Sequence, residues 1–281
     1  MATPFQTPST TKKIANTPSN RLVIPKPPLK WAGGKRWQLP YLRPYWEAQH
    51  HRRLVEPFCG GLAVTIGLRP QRALLNDINP HLINFYRQLK RGLISQLEQE
   101  NTSEFFYAYR RQFNQLLNEG KGDTPEAAEI FYYLNRTGFN GLCRFNRSGK
   151  FNVPFGRYKK INYRSDFLEY QSVFASWEFL NEPFEKLRLQ AEDFVYADPP
   201  YDVEFRQYSK DGFDWTQQER TAEWLAEHPG PVILSNQATP RIKKLYQSLG
   251  YKLTFLNAPR RISCTGDRTP APEVLAIRNL P

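Results

Sequence analysis

Six short runs rich in β-branched and aromatic residues, separated by segments of helical periodicity, constrain this chain more than any other feature. They are RLVEPF (53–58), RALLND (72–77), FVYADP (194–199), PVILSN (231–236), YKLTFLN (251–257) and EVLAIRN (273–279). Strands that alternate with helices bury both their faces in a layered α/β sheet of the Rossmann-like kind. Two helices carry clear end signals. One spans 239–250, with Thr239 as cap, Pro240 at the first position, Ile242, Leu245, Tyr246 and Leu249 on one face, and Gly250 as the stop. The other opens on a Thr216/Glu219 capping box and runs through Trp224 and Leu225. Between 81 and 167 the strand signals fade, and SEFFYAYRRQFNQLLN (103–118) and PEAAEIFYYLNR (125–136) read as amphipathic helices followed by a Gly-, Asn- and Arg-rich loop. The expected organisation is a catalytic domain over 26–80 and 168–281, an inserted, mainly helical domain over 81–167 carrying a basic hairpin or loop, and a flexible basic tail over 1–25.

Charge narrows the partners. The 281 residues include 39 Lys and Arg against 27 Asp and Glu, a formal net charge of +12. Such an excess favours a polyanion, and nucleic acid first. No apolar run approaches the roughly 20 residues of a spanning helix, so a membrane partner is not expected. Cys59, Cys143 and Cys264 lie far apart without C-x-x-C spacing, which suits neither a disulfide framework nor a zinc site. A reducing cytoplasm and no metal follow. The tail has no secretory h-region and too little arginine for a transit peptide.

Four stretches could carry chemistry. In VEPFCGG (55–61) a Gly pair ends a strand, and Asp77 ends the next strand, where Rossmann-like sheets place the acid that accepts from ribose hydroxyls. Without a G-x-G-x-x-G fingerprint there is no pyrophosphate cradle, which points to a nucleoside cofactor without phosphates rather than NAD; alternatively, Gly60 and Gly61 simply make a turn. In DPPY, Asp198 to Tyr201, a strand-end carboxylate precedes two prolines that fix the backbone and remove its N–H donors. The resulting acceptor-rich patch suits an exocyclic amine with two hydrogens to donate, with the Tyr201 ring as a stacking face for a base. An ordinary Pro-Pro turn is the alternative. The stretch 130–165 has eight basic and nine aromatic residues and no carboxylate, the composition of a surface that neutralises phosphates and stacks rings among bases. PPLKWAGGKRW (27–37) sets Lys30, Trp31 and Lys35 around a Gly pair that could hold an anion or close over a cofactor.

Taken in order, KWAGGK, VEPFCGG, NDIN, NRTGFNGLCRFNRSGKFNVPFGRYKK, YADPPY, ILSNQAT and RRISCTGDRTPAPEVLAIRN resemble the Dam-type DNA adenine-N6 methyltransferases of the D12 class. The resemblance runs from Lys30 to the C-terminus. It implies S-adenosylmethionine as cofactor, held by Trp31, Lys35, Glu56, Phe58, Gly60, Asp77 and Asp198, with Phe184 over the cofactor's adenine. It further implies a catalytic set of Asp198, Pro199, Pro200 and Tyr201. In the inserted segment Leu142, Arg144 and Pro154 stand where the family contacts the bases of GATC, and Lys30 where it contacts the outer guanine. Phe139 and Asn140 take the place of an intercalating Tyr-Asn pair, with the ring retained and a hydroxyl lost. Arg136, Arg157, Tyr158, Lys159 and Lys160 fall among the DNA contacts, Arg136 and Arg157 on the backbone.

The function this implies is methyl transfer to N6 of an adenine flipped out of duplex DNA, by a monomer and through direct displacement without a metal. Two rivals accompany it. An RNA adenine-N6 methyltransferase would share the DPPY pocket, and a catalytically silent DNA-binding regulator would share the fold.

Overall fold

Parallel strands covered on both faces are mostly apolar, and the central strands of the computed structural model follow this except toward their carboxyl ends, where Glu56, Asn76, Ser235 and Asn236 are buried. The structure describes residues 25–98, 100–202, 213–259 and 271–281. The tail as far as residue 24, most of the stretch after Tyr201 and residues 260–270, with Cys264, lie outside them.

Among the described residues, strands β1 (Leu54–Glu56), β2 (Ala73–Asn76), β3 (Trp177–Leu180), β4 (Phe194–Ala197), β5 (Val232–Gln237), β6 (Lys252–Ala258) and β7 (Ala271–Arg278) form one sheet in the order β3-β2-β1-β4-β5-β7-β6. The first five are parallel, and β7 runs antiparallel between β5 and β6. All six expected runs are strands. The additional one, β3, is a four-residue edge strand in which Trp177 and Phe179 are buried and Glu178 is exposed; so short an alternation gives the sequence little to announce it.

The pleat divides the core. Val55, Val195, Ala197, Val232 and Leu234 face Ala222 and Leu225 of helix α7 (Trp215–Ala226) and Ile242 and Tyr246 of α8 (Pro240–Ser248). Their neighbours Leu54, Phe194, Tyr196 and Ile233 face the other way. On that side pack α1 (Leu39–Glu47), α2 (Ala63–Leu68), α3 (Pro80–Lys90), α4 (Ser103–Asn118), α5 (Pro125–Thr137) and α6 (Leu168–Phe174). Helices α3 to α6 connect β2 to β3, yet their buried Phe85, Phe131, Tyr133 and Phe174 belong to the same apolar cluster as Leu54 and Phe194.

Local signals set most helix ends. The Thr239 hydroxyl accepts from the Ile242 N–H at 3.3 Å, and α8 closes two residues before Gly250. Helix α7 differs from expectation. Its capping box is formed by Asp214 and Gln217, not Thr216 and Glu219: the Asp214 carboxylate accepts from Gln217 N at 3.0 Å and the Gln217 side chain accepts from Asp214 N at 3.1 Å. Asp caps as well as Thr, so the register settles two residues earlier.

Candidate active site

In this sheet the strand order reverses between β1 and β4, and open α/β sheets bind ligands in the crevice at such a switch point, beyond the carboxyl ends of the strands. Glu56 ends β1, Asp77 follows β2, and Asp198 follows β4. The sheet therefore delivers three carboxylates to one edge.

Asp198 is held by the segment ahead of α1. Lys35 Nζ lies 3.3 Å from Asp198 Oδ2 and donates to the Gly33 carbonyl at 3.0 Å, while sitting 4.2 Å from the centre of the Tyr201 ring. Asp198 Oδ1 is buried and has no hydrogen-bond partner. Burial pushes the Asp198 carboxyl up to about 6, against the opposing pull of the Lys35 cation. Pro199 is buried, and the Pro200 carbonyl accepts from Gln218 Nε2 of α7 at 2.7 Å, which pins the turn. The Tyr201 hydroxyl donates to Glu273 Oε2 at 2.6 Å and lies 3.0 Å from Ser235 Oγ.

Glu56 and Asp77 form the other half of the crevice. Glu56 is fully buried and accepts from the Thr65 hydroxyl; burial pushes it up to about 8, with the Asp198 charge adding to the shift. Asp77 receives the Gly60 N–H on Oδ2 and the Asn79 N–H on Oδ1, each at 3.0 Å, and burial raises it as well. Ile78, beside it, is 69% exposed, an unusual position for an isoleucine so close to a buried carboxylate. The rings of Phe58 and Phe184 stand 5.5 Å apart, with Phe184 buried.

The glycine pair makes room for a neighbouring side chain. A Cβ on Gly60 would come within 2.8 Å of Trp31 Nε1, and one on Gly61 within 2.6 Å of Trp31 Cβ. Gly60 also has a positive φ of 44°. The pair therefore makes room for an indole that packs the KWAGGK segment onto the sheet.

The basic stretch 130–165 divides on folding. Of its nine aromatics, Phe131, Tyr132, Tyr133 and Phe151 are core, Phe145, Phe155 and Tyr163 pack partly against it, Tyr158 is half-buried, and Phe139 alone is exposed, at 47%. The expectation that these rings face bases is thus corrected: the helical layer needs them to fill its interior. The cations do face outward, with Arg144, Arg157, Lys159 and Lys160 all exposed. Two antiparallel bridges, Gly138 with Phe155 and Phe145 with Phe151, draw residues 138–155 into an irregular hairpin.

Within it, Phe139 N donates to the Pro154 carbonyl at 2.9 Å, and Asn140 adopts a left-handed conformation with φ 52°. Arg144 is held by its own hairpin, its Nε donating to Asn152 Oδ1 at 2.9 Å. Leu142 is half-buried against the core. Lys30 reaches the same place from the N-terminal segment. Its backbone N–H and carbonyl pair with the Asn135 side chain at 2.9 and 2.8 Å, and its Nζ donates to the Arg136 carbonyl at 2.9 Å and lies 3.7 Å above the Tyr158 ring. Burial, then the Arg136 charge, lowers its pKa. The structure thus gathers the candidate cofactor and catalytic residues in the crevice, and Lys30, Arg136, Phe139, Pro154 and Tyr158 around the hairpin. Sequence reasoning overlooked Asn135, Gln38, Ser235 and Glu273; only Ser235 and Glu273 carry a signal, a polar residue inside a mainly apolar strand.

The sequence model described as D12 class N6 adenine-specific DNA methyltransferase matches residues 31–261. This chain belongs to that family. It is 36% identical to a DNA adenine methylase of Vibrio cholerae, over 89% of this chain and 94% of that one. A Type II methyltransferase of Lactococcus lactis subsp. cremoris is 34% identical over 79% of this chain and 84% of its own length. A DNA N-6-adenine-methyltransferase of Escherichia phage P1 is 35% identical, and there the match with 88% of this chain spans only 35% of the relative. D12 membership makes the chain an adenine-specific DNA methyltransferase by family and implies a methyl donor of the S-adenosylmethionine type. Among the described residues no helix is long and apolar enough to cross a membrane, and no group of three or more His, Cys, Asp or Glu is placed to hold a metal.

Proposed function

We propose that this protein, acting as a monomer, methylates N6 of an adenine flipped out of duplex DNA, that the donor is S-adenosylmethionine, and that the target sequence is GATC. The observation that carries the reading is the Asp198 carboxylate: one oxygen is tied to Lys35 and the other is buried without a partner, beside a tyrosine ring. A buried acceptor left open is costly unless a ligand completes it.

The crevice fits the cofactor. Asp77 keeps lone pairs for ribose hydroxyls while Gly60 and Asn79 orient it. Exposed Ile78 and the Phe58–Phe184 pair give apolar cover for a base, and buried Glu56 is an acceptor for an ammonium group, with Trp31 packed alongside. The cofactor supplies an electrophilic methyl group on a sulfonium. Asp198 Oδ1 and the Pro199 carbonyl accept the two N6 hydrogens of the adenine, which draws the nitrogen lone pair out of conjugation. Tyr201 stacks on the base and Lys35 keeps Asp198 ionised, so the contribution is one of positioning and charge complementarity. Once methylated, the nitrogen sheds a proton to Asp198.

On the DNA side Phe139 fills the vacated stack, assisted by Asn140, and this offsets part of the few kcal/mol that flipping costs. Arg144 leaves Asn152 to read a guanine, next to Leu142, Pro154 and Lys30, while Arg136, Arg157, Tyr158, Lys159 and Lys160 hold phosphates. The test is methyl transfer from labelled S-adenosylmethionine to paired duplexes, one with a single GATC and one with that adenine replaced, followed by nucleoside analysis. N6-methyladenine in the first alone is expected. Product in neither, with cofactor still bound, overturns the GATC reading, and product in an RNA hairpin overturns the choice of DNA.

A further inference from the structure

Tyr201 does not hold its own orientation. Its hydroxyl belongs to a closed ring of hydrogen bonds built from four separate parts of the chain. Gln38, in the turn before α1, donates through Nε2 to Ser235 Oγ of β5 at 2.9 Å and to Glu273 Oε2 of β7 at 2.9 Å. Gln38 Oε1 in turn accepts from the Tyr196 hydroxyl at 2.8 Å. With Tyr201 donating to Glu273 at 2.6 Å and Ser235 lying 3.0 Å from Tyr201 Oη, one assignment of protons satisfies every group. In it the two amide hydrogens of Gln38 go to Ser235 and Glu273, the serine proton to Tyr201, and the tyrosine proton to the carboxylate. In this assignment Glu273 Oε2 accepts twice, and Glu273 is the one member that donates to none of the others. Gln38, Ser235 and Glu273 are all buried, so the ring is sheltered from competing water.

We propose that Glu273 is a positioning residue for the methyl transfer, which anchors the stacking ring of Tyr201 through its hydroxyl and sets the charge environment of Asp198. The inference rests on the reading of Asp198 and Tyr201 given above. Lys35, 3.3 Å from Asp198, favours its ionised form, the Glu273 and Glu56 carboxylates oppose it, and the hydroxyls of Tyr196, Tyr201 and Tyr246 feel its charge in turn. Glu273 opposes ionisation, part of the reason that Asp198 titrates at about 6. Removing its charge while keeping its shape moves the acid limb of the reaction to lower pH; a residue with only a structural role leaves that limb in place.

The experiment compares full-length wild type, Glu273→Gln, Glu273→Ala, Tyr201→Phe and the Tyr201→Phe/Glu273→Ala double variant in methyl transfer to duplex DNA. Each is followed for kcat, KM and the pH dependence of kcat/KM, with Tyr201→Ala as reference. Glu273→Ala is expected to lose about 100-fold in kcat with KM for DNA within about threefold, the penalty of a misplaced reacting group. Tyr201→Phe loses a similar factor and the double variant no more than either, because all three break one anchor. Glu273→Gln keeps the acceptor, recovers most of kcat, and shifts the acid limb downward. Should Glu273→Ala fail to fold, the pH shift of the isosteric Glu273→Gln decides. Wild-type kcat and an unmoved acid limb in both Glu273 variants, with Tyr201→Ala inactive, overturn the proposal alone. Full activity in Tyr201→Ala overturns the reading beneath it.

Discussion

Glu56 shows what a buried carboxylate costs the folded protein. Its folded value, near 8, lies above the ordinary value of 4.5 because burial penalises its charge. A raised carboxyl contributes stability that is complete below the unfolded value and is lost as pH rises through the folded one. Glu56→Gln, neutral at every pH and still an acceptor for Thr65, should leave the melting temperature near wild type at about pH 5 and raise it at about pH 9. Thermal unfolding of the cofactor-free protein checks this, and equal shifts at the two pH values would contradict it. Cofactor affinity should fall in the same variant. At the other site, Arg144→Ala should relax the preference at one base pair by about 1–3 kcal/mol, read as methylation of duplexes varied at each position in turn. An unchanged preference would remove Arg144 from base reading. Both side chains were visible as candidates, Glu56 in VEPF and Arg144 in the basic stretch. That Glu56 is buried against Thr65, and that Arg144 rests on Asn152, were not.

At the scale of elements, helix α5 and the hairpin after it separate two aromatics that composition treats alike. Phe131 is 1% exposed inside the helical layer and Phe139 is 47% exposed at the hairpin mouth. Phe131→Ala should therefore cost about 3–5 kcal/mol of stability, as large-to-small changes in a packed core do. Phe139→Ala should leave the unfolding midpoint unchanged and weaken base flipping, followed by fluorescence of 2-aminopurine placed at the target adenine. A large loss of stability in Phe139→Ala would reverse the assignment. Helix α5 itself was legible almost to the residue because Thr124, Pro125 and an amphipathic pattern coincide. The start of α7 was misread by two residues because two capping boxes compete there, and the sequence does not say which carboxylate or hydroxyl meets the helix N-terminus.

Over the whole molecule, the charge of +12 is unevenly used. Lys159 and Lys160 are exposed next to the hairpin. Replacing both with glutamine should weaken binding to all duplexes alike and flatten the dependence of log affinity on log salt, by about one unit of slope for each phosphate left without its lysine. Titration across a salt series measures it, and a weakening confined to GATC duplexes would argue against the division between backbone and base contacts.

The sequence alone determined six of the seven described strands, four of the eight described α-helices and their layered α/β arrangement, because burial periodicity and end signals are local and repeat within a few residues. It also presented the DPPY and VEPFCGG motifs as strand ends. The tertiary structure decided which of these meet. Gln38 and Glu273 are 235 residues apart, and Asn135 and Lys30 are 105 apart. Each pair becomes adjacent only once the strand order and the insertion of β7 between β5 and β6 are set. A hydrogen bond between distant residues depends on crossovers that no local pattern encodes, and a buried ring has the same composition as an exposed one.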